Sequence, residues 1–122
     1  LPSIAIVEVL DQGRGFRYRL VGGRIAEIAG RNAAGRMLDS NLYGPGASRL
    51  LVPYKRVVAE RLPVQSRSPV LFTDTWRASD NMFVPFTTSD GAVDQIIVSV
   101  HLADGMAASQ GQRGQISVVH AG

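Results

Sequence analysis

The sequence of 122 residues contains no cysteine. That absence removes disulfides, iron–sulfur clusters, thiolate zinc sites and thiol nucleophiles together. Histidine is almost as scarce. His101 and His120 stand nineteen positions apart, with no metal-like spacing to another ligand, so both read as ordinary surface residues and no metal site is expected. No run approaches the roughly 18 uninterrupted apolar residues of a membrane-spanning helix, and the N-terminus lacks the basic-then-apolar pattern of a secretory signal. A cytoplasmic chain without membrane contact is expected. It begins at Leu1 rather than Met, from which an upstream piece left off or processed away is expected.

Reactive motifs are also missing. Gly30-Arg-Asn-Ala-Ala-Gly35 has the glycine frame of a phosphate-binding loop, but Arg36 and Met37 replace the Lys and Ser or Thr that hold phosphate and magnesium. Ser48 lacks a nucleophile-elbow setting, and no Ser, His and Asp grouping stands out. Asp74, Asp80, Asp90 and Asp94 lie in or between strand-like segments, where turn-forming and solvated roles account for them. No catalytic residue is nominated, and the chain is not expected to be an enzyme. The net charge of +3 is uneven: residues 1–61 carry ten basic and five acidic side chains, the remainder three and five. The arginines are scattered rather than clustered with aromatics over one element, so a solvated basic face is expected and a nucleic-acid partner is not.

The 45% of hydrophobic residues fits one compact domain. Ile4 to Val7 followed by Asp11-Gln-Gly-Arg-Gly15 reads as strand and turn. In the next strand Phe16, Tyr18 and Leu20 alternate with Arg17, Arg19 and Val21, which predicts one apolar face. Gly22-Gly23 breaks that strand, and Ile25, Ile28 and Ala29 recur at helical spacing up to Gly30. Gly35 to Leu38 reads as a second brief helical turn. From Ala47 to Leu62 a longer helix is predicted, with Pro53 either in its first turn near Val52 or kinking it. Val70 to Arg77, Asn81 to Thr88 and Val93 to Leu102 read as three strands, joined at Ala78-Ser-Asp80 and Ser89-Asp-Gly91. Ile96, Val98, Val100 and Leu102 should face the core; Ile97, Ser99 and His101 should face away. Pro85 suits an edge or a bulge. Residues 1–103 form the expected domain and 104–122 a flexible tail with a linker at Asp104 to Gly114, in which Ile116 to Val119 have the residues for a short extra strand.

Large apolar side chains expected to face inward are Phe16, Tyr18, Ile25, Ile28, Leu38, Leu51, Val58, Phe72, Trp76, Phe83, Phe86, Ile96, Val98 and Val100. Most are core, but a curved sheet covered by short helices can leave a pocket between the layers. Trp76, Tyr18 and Tyr54 are the inward residues able to orient a ligand through an N–H or hydroxyl.

Phe16-Arg-Tyr-Arg-Leu20 with Gly22, then Gly30-Arg31 and Gly35-Arg36 with Leu38, resembles a group of short bacterial PAS proteins. Phe83-Val-Pro-Phe86 and Asp90-Gly91 with Val93-Asp94 are similar to that group's later motifs. The resemblance covers Leu1 to about Leu102. It implies an α+β fold: a PAS-like five-stranded antiparallel sheet with short helices packed on one face. It further implies a bacterial sensory or protein-interaction module in signal transduction, a homodimer that contacts an effector protein, and a small-molecule ligand held between sheet and helices. The candidate lining is Tyr18, Ile25, Ile28, Tyr54, Val58, Phe72, Trp76, Phe83 and Val98; the identity of the ligand or cofactor stays open. Flavin photochemistry would need a cysteine, and a haem-binding helix at 47–62 has no histidine, leaving only Tyr54 as an axial candidate. The cap helix that often covers the outer sheet face is expected to be missing before Leu1, so Ile6, Val7 or Ile97 are expected to be exposed or buried in a dimer. The alternatives are a small enzyme or carrier using the same pocket, and a structural dimerisation domain whose pocket is filled by side chains.

Overall fold

A computed structural model describes residues 3–23, 26, 33–72, 75–88, 90–107 and 115–118, and for 68–72, 75–78, 102–107 and 115–118 it gives the backbone course and pairing. Strands β1 (Ile4–Leu10) and β2 (Gly15–Val21) form a hairpin. Three short helices follow, α1 (Ser40–Tyr43), α2 (Ala47–Leu50) and α3 (Val52–Glu60). Strands β3 (Val64–Phe72), β4 (Thr75–Thr87), β5 (Val93–Ala107) and β6 (Gln115–Val118) complete the chain. All pairings are antiparallel, in the order β2-β1-β5-β4-β3-β6. Five of these strands are the expected sheet, and β6 lies on its far edge.

Strand alternation gives the sheet two unlike faces. Ala5, Val7, Phe16, Tyr18, Val64, Phe83, Ile96 and Val98 are buried on one, and Leu38, Leu42, Tyr54 and Val57 pack onto it from the connecting segment and helices. Val7 is therefore core, not an exposed or dimer-facing residue. The other face carries a cross-strand row, Leu20 opposite Ile6, Ile6 opposite Ile97, and Ile97 opposite Val84. Ion pairs flank the row. Arg17 donates to Glu8 across 3.0 Å, and Arg67 Nε lies 3.0 Å from Asp80 Oδ1 but off the line of a hydrogen bond.

Several boundaries depart from the sequence reading, each for a definable reason. Leu20 does not share the face of Phe16 and Tyr18. A register shift between Ile6 and Val7 makes Arg19 an extra residue, which inverts the alternation, leaves Leu20 50% exposed and packs Val21 against the core. Phe86 is 47% exposed, because three positions from Phe83 is the opposite parity of a strand. Gly35 to Leu38 is not helical: Gly35 N–H donates to Tyr18 O, Tyr18 N–H to Arg36 O and Leu38 N–H to Phe16 O at 2.7–2.9 Å. These bonds satisfy the free edge of β2, with Arg17 bridged to Met37. The turn expected at Ala78-Ser-Asp80 lies inside β4; β3 pairs with β4 from Val64↔Phe83 to Phe72↔Thr75, so the chain reverses between Phe72 and Thr75. Strand β5 continues through the expected linker start to Ala107.

Pro53 sits in the first turn of α3, where its missing N–H costs nothing. Pro85 pairs with Ile96 in β4 beyond Val64, the first residue of β3, so no ladder bond on that side is lost. The opening of the helix read over Ile25 and Ile28 is described by Ala26 N–H donating to Gly22 O at 3.0 Å; Ile25 and Ile28 themselves lie outside the described residues.

The β1–β2 connection is a tight 3-10 turn, Asp11–Gly13. Its three residues have positive φ, 50°, 59° and 97°, and a Cβ at Gly13 would meet Val58 Cγ1 of α3 at 3.1 Å. The turn thus seats the hairpin on the helix that carries Tyr54. Gly13→Ala is expected to lower stability by about 1 to 3 kcal/mol through backbone strain and crowding. Gln12→Gly, which relieves a left-handed residue, should raise it by up to about 1 kcal/mol. Denaturant midpoints moving the opposite way would contradict this account of the turn.

Candidate functional site

The chain has three tyrosines, and the fold brings all of them to one place between sheet and helices. Tyr18 comes from the core face of β2, Tyr43 from the end of α1 and Tyr54 from α3. The sequence dictates each position locally. Arg19 supplies the bulge immediately after Tyr18. Asp39 caps α1 by accepting from Asn41 N–H at 3.0 Å and Leu42 N–H at 3.3 Å, and Gly44 takes φ 67° to end the helix beside Tyr43. Pro53 opens α3 one residue before Tyr54.

Tyr18 and Tyr43 share a hydroxyl–hydroxyl hydrogen bond of 2.5 Å, and Tyr54 lies close enough to Tyr18 to act on its phenol electrostatically. The Tyr54 ring stacks at a tilt on Phe16, centroids 5.5 Å apart, and meets Phe83 edge to face at 5.0 Å. Burial pushes the Tyr18 phenol well above the ordinary value, reinforced by nearby Tyr54. Burial does the same to Tyr54, reinforced by Tyr43. Both therefore stay protonated at every physiological pH and act as neutral groups that donate and accept.

Of the expected lining, Tyr18, Tyr54, Phe83 and Val98 are buried in this core, with Val58 packed against it. Ile25 and Ile28, and the side chains of Phe72 and Trp76, lie outside what is described. Sequence reasoning missed Tyr43, Ser66, Ser79 and Asn81. Ser66 and Ser79 are buried polar residues of the core face, Ser66 lies opposite Asn81, and Ser79 Oγ donates to Asn81 Oδ1 at 2.6 Å. Parity with Val64 and Phe83 would have found them once the start of β3 was known. On the other face an open depression of about 190 Å³ is lined by Gln65, Asp80, Asn81, Met82, Ser99 and His101. It involves none of the expected lining. Among the described residues there is no group of three metal-ligating side chains and no helix long and apolar enough to cross a membrane.

Two predictions follow from the tyrosines. Unfolded tyrosines lose their protons near pH 10, whereas folded Tyr18 and Tyr54 hold theirs to higher pH. Above pH 10 the native state then binds more protons than the unfolded one, and stability present below that pH is lost. The slope should approach about 2 to 3 kcal/mol per pH unit for the pair, read from urea unfolding between pH 8 and 11. Tyrosinate absorbance at 295 nm titrating fully near pH 10 in the native protein would contradict it. Asp39→Ala should cost about 1 kcal/mol of stability and loosen the α1 turn that holds Tyr43, measured by thermal unfolding.

No protein-family model matches the sequence, and no curated protein matches it. Solved structures do. The chain is similar to Vibrio cholerae VqmA in a ligand–DNA complex, at 17% identity and TM-score 0.62, over 84% of this chain and 46% of that one. It is similar to the PAS domain of Bordetella pertussis BvgS at 19% identity and TM-score 0.61, over 88% and 77%, and to a sensory box sensor histidine kinase from Vibrio cholerae at 14% and 0.56, over 82% and 78%. The chain thus spans about half the length of the VqmA chain. The VqmA complex also corrects the expected partners: a structure of this fold contains DNA, so scattered arginines are no ground for excluding nucleic acid. Charge patterning over one domain speaks only for that domain's own surface. The sheet order, the helices on one face and the likenesses to the BvgS domain and the sensory box kinase agree: the chain has the PAS fold.

Proposed function

We propose that this chain is the sensory module of a signalling protein and that it holds a small neutral molecule between sheet and helices, with the hydroxyls of Tyr18, Tyr43 and Tyr54 as its polar contacts. The observation that carries this reading is the meeting of all three tyrosines in a mostly apolar interior. Hydroxyls that can both donate and accept can reorient to suit a ligand. The only buried polar residues among those described are Ser66 and Ser79. A charged ligand would lose its hydration without gaining a counter-charge there, which argues for a neutral one. Val58, Phe83 and Val98 would form the apolar wall, with Ile25, Ile28, Phe72 and Trp76 added on the sequence pattern alone.

The proposal is non-enzymatic, since burial moves both phenols away from proton transfer near neutral pH. The sensory unit is taken as residues 1–103. A ligand acts on it only by binding two states with different affinity, and the apolar outer row from Leu20 to Val84 offers a surface through which such a difference could reach a second protein. VqmA, solved with ligand and DNA, keeps nucleic acid among the outputs to be tested. The competing reading is a solid core, favoured by the close Phe16–Tyr54–Phe83 packing.

Native mass spectrometry of freshly purified protein separates the two. The proposal expects a retained small compound, and Tyr54→Phe should weaken its retention at least tenfold while costing about 1 kcal/mol of stability. A compound-free protein, with the same stability cost and no other effect of the substitution, would overturn it.

A further inference from the structure

The far edge of the sheet is covered in an unusual way. Strand β6 follows β5 in sequence but pairs two strands further along, with β3: Val118 opposite Val64, Ser117 opposite Gln65, Ile116 opposite Ser66 and Gln115 opposite Arg67. Seven residues, Ala-Ser-Gln-Gly-Gln-Arg-Gly at 108–114, join it to β5. Strand β3 runs on to Phe72 along β4, but β6 pairs with Val64–Arg67 alone. Pro69, two residues beyond, has no N–H to offer a neighbour, so pairing along this edge has a built-in end. Ile116 and Val118 match the two β3 positions, Ser66 and Val64, that are buried on the core face.

A four-residue strand held by an open edge is a peptide docked by β-augmentation. We propose that the Val64–Arg67 edge is a strand-docking site, occupied in cis by residues 115–118 and able to take the same alternating sequence in trans. Its ligand is an extended segment with β-branched residues at alternate positions, Ile-x-Val, aligned antiparallel to β3. The tether raises the local concentration of the cis strand to the order of millimolar, so a trans strand competes only when β6 is disabled or when it is supplied at similar concentration. Cis occupancy also protects a pairing edge from unwanted partners.

Hydrogen exchange and peptide titration on the whole 122-residue chain test this. Ser117→Pro disrupts β6 pairing at the position opposite Gln65, which is exposed. Edge amides within Val64–Arg67 should exchange at least tenfold faster in the variant, while those of Ile96 and Val98 keep their protection. A labelled peptide of residues 113–120 should bind the variant at least tenfold more tightly than the native chain, and a scrambled peptide should not bind. Self-association of the variant through the β3 edge would also support the site, since a second copy then supplies the strand. Unchanged edge exchange, absence of peptide binding, equal binding of the scrambled peptide or loss of protection throughout would overturn it. The native chain gives an independent reading: its edge amides should exchange by local opening, and exchange through global unfolding alone would also contradict the proposal.

Discussion

Among the described residues, the helices that cover the sheet are four, four and nine residues long, all below the roughly 12 to 15 residues at which an isolated helix becomes even marginally stable in water. They exist because one face of the sheet needs covering. Phe16, Val64, Ile96 and Val98 present that face, and Leu42, Tyr54 and Val57 are the residues the helices give back. This mutual dependence fixes where the tyrosines meet. Tyr43 and Tyr54 cannot approach Tyr18 unless both helices lie on the sheet, so the hydroxyl cluster reports the docking of the two layers as well as serving as their polar centre.

The same dependence ties the packing of the two layers to the hydroxyl cluster. Hydrogen bonds between buried neutral groups are costly to break singly. A molecule that inserted among the hydroxyls would exchange partners rather than leave groups unpaired. At the strained turn Asp11–Gly13, Gly13 leaves room beside Val58 that a Cβ would fill, one helical turn from Tyr54, which places α3 against the β1–β2 hairpin. The outer face of that hairpin carries Leu20 and Ile6, the first two members of the apolar row. Inner site, turn and outer face thus share one hairpin and one helix, a short path for a change in packing.

Much of this was legible in the sequence. Alternation places Phe16, Tyr18, Ile96 and Val98 on the core face, and of the two readings that Pro53 allows, a start near Val52 or a kink, the structure has the first. What failed did so at phase changes. Nothing in Phe16-Arg-Tyr-Arg-Leu-Val21 announces that Arg19 is an extra residue, because a bulge is settled by what both edges of the strand must pair with. Gly35 to Leu38 has helix-compatible residues, yet the unpaired edge of β2 claims its backbone. The residues from Val70 to Thr88 read as two strands parted at Ala78 to Asp80, whereas tertiary pairing starts β3 at Val64 and puts Ala78 to Asp80 mid-strand. That displaced boundary hid Ser66, Ser79 and Asn81. Tyr43 was hidden for a different reason: its helix is too short to show a period.

The central claim is that Tyr18, Tyr43 and Tyr54 meet in one hydroxyl cluster between the layers, in which Tyr18 and Tyr54 are buried and protonated and Tyr43 is half-buried. Nuclear magnetic resonance of protein labelled only at tyrosine and phenylalanine tests it most directly. The account predicts slowly exchanging tyrosine hydroxyl protons and through-space contacts from the Tyr54 ring to both Phe16 and Phe83. Three rapidly exchanging hydroxyls, with no contact between these rings, would contradict it.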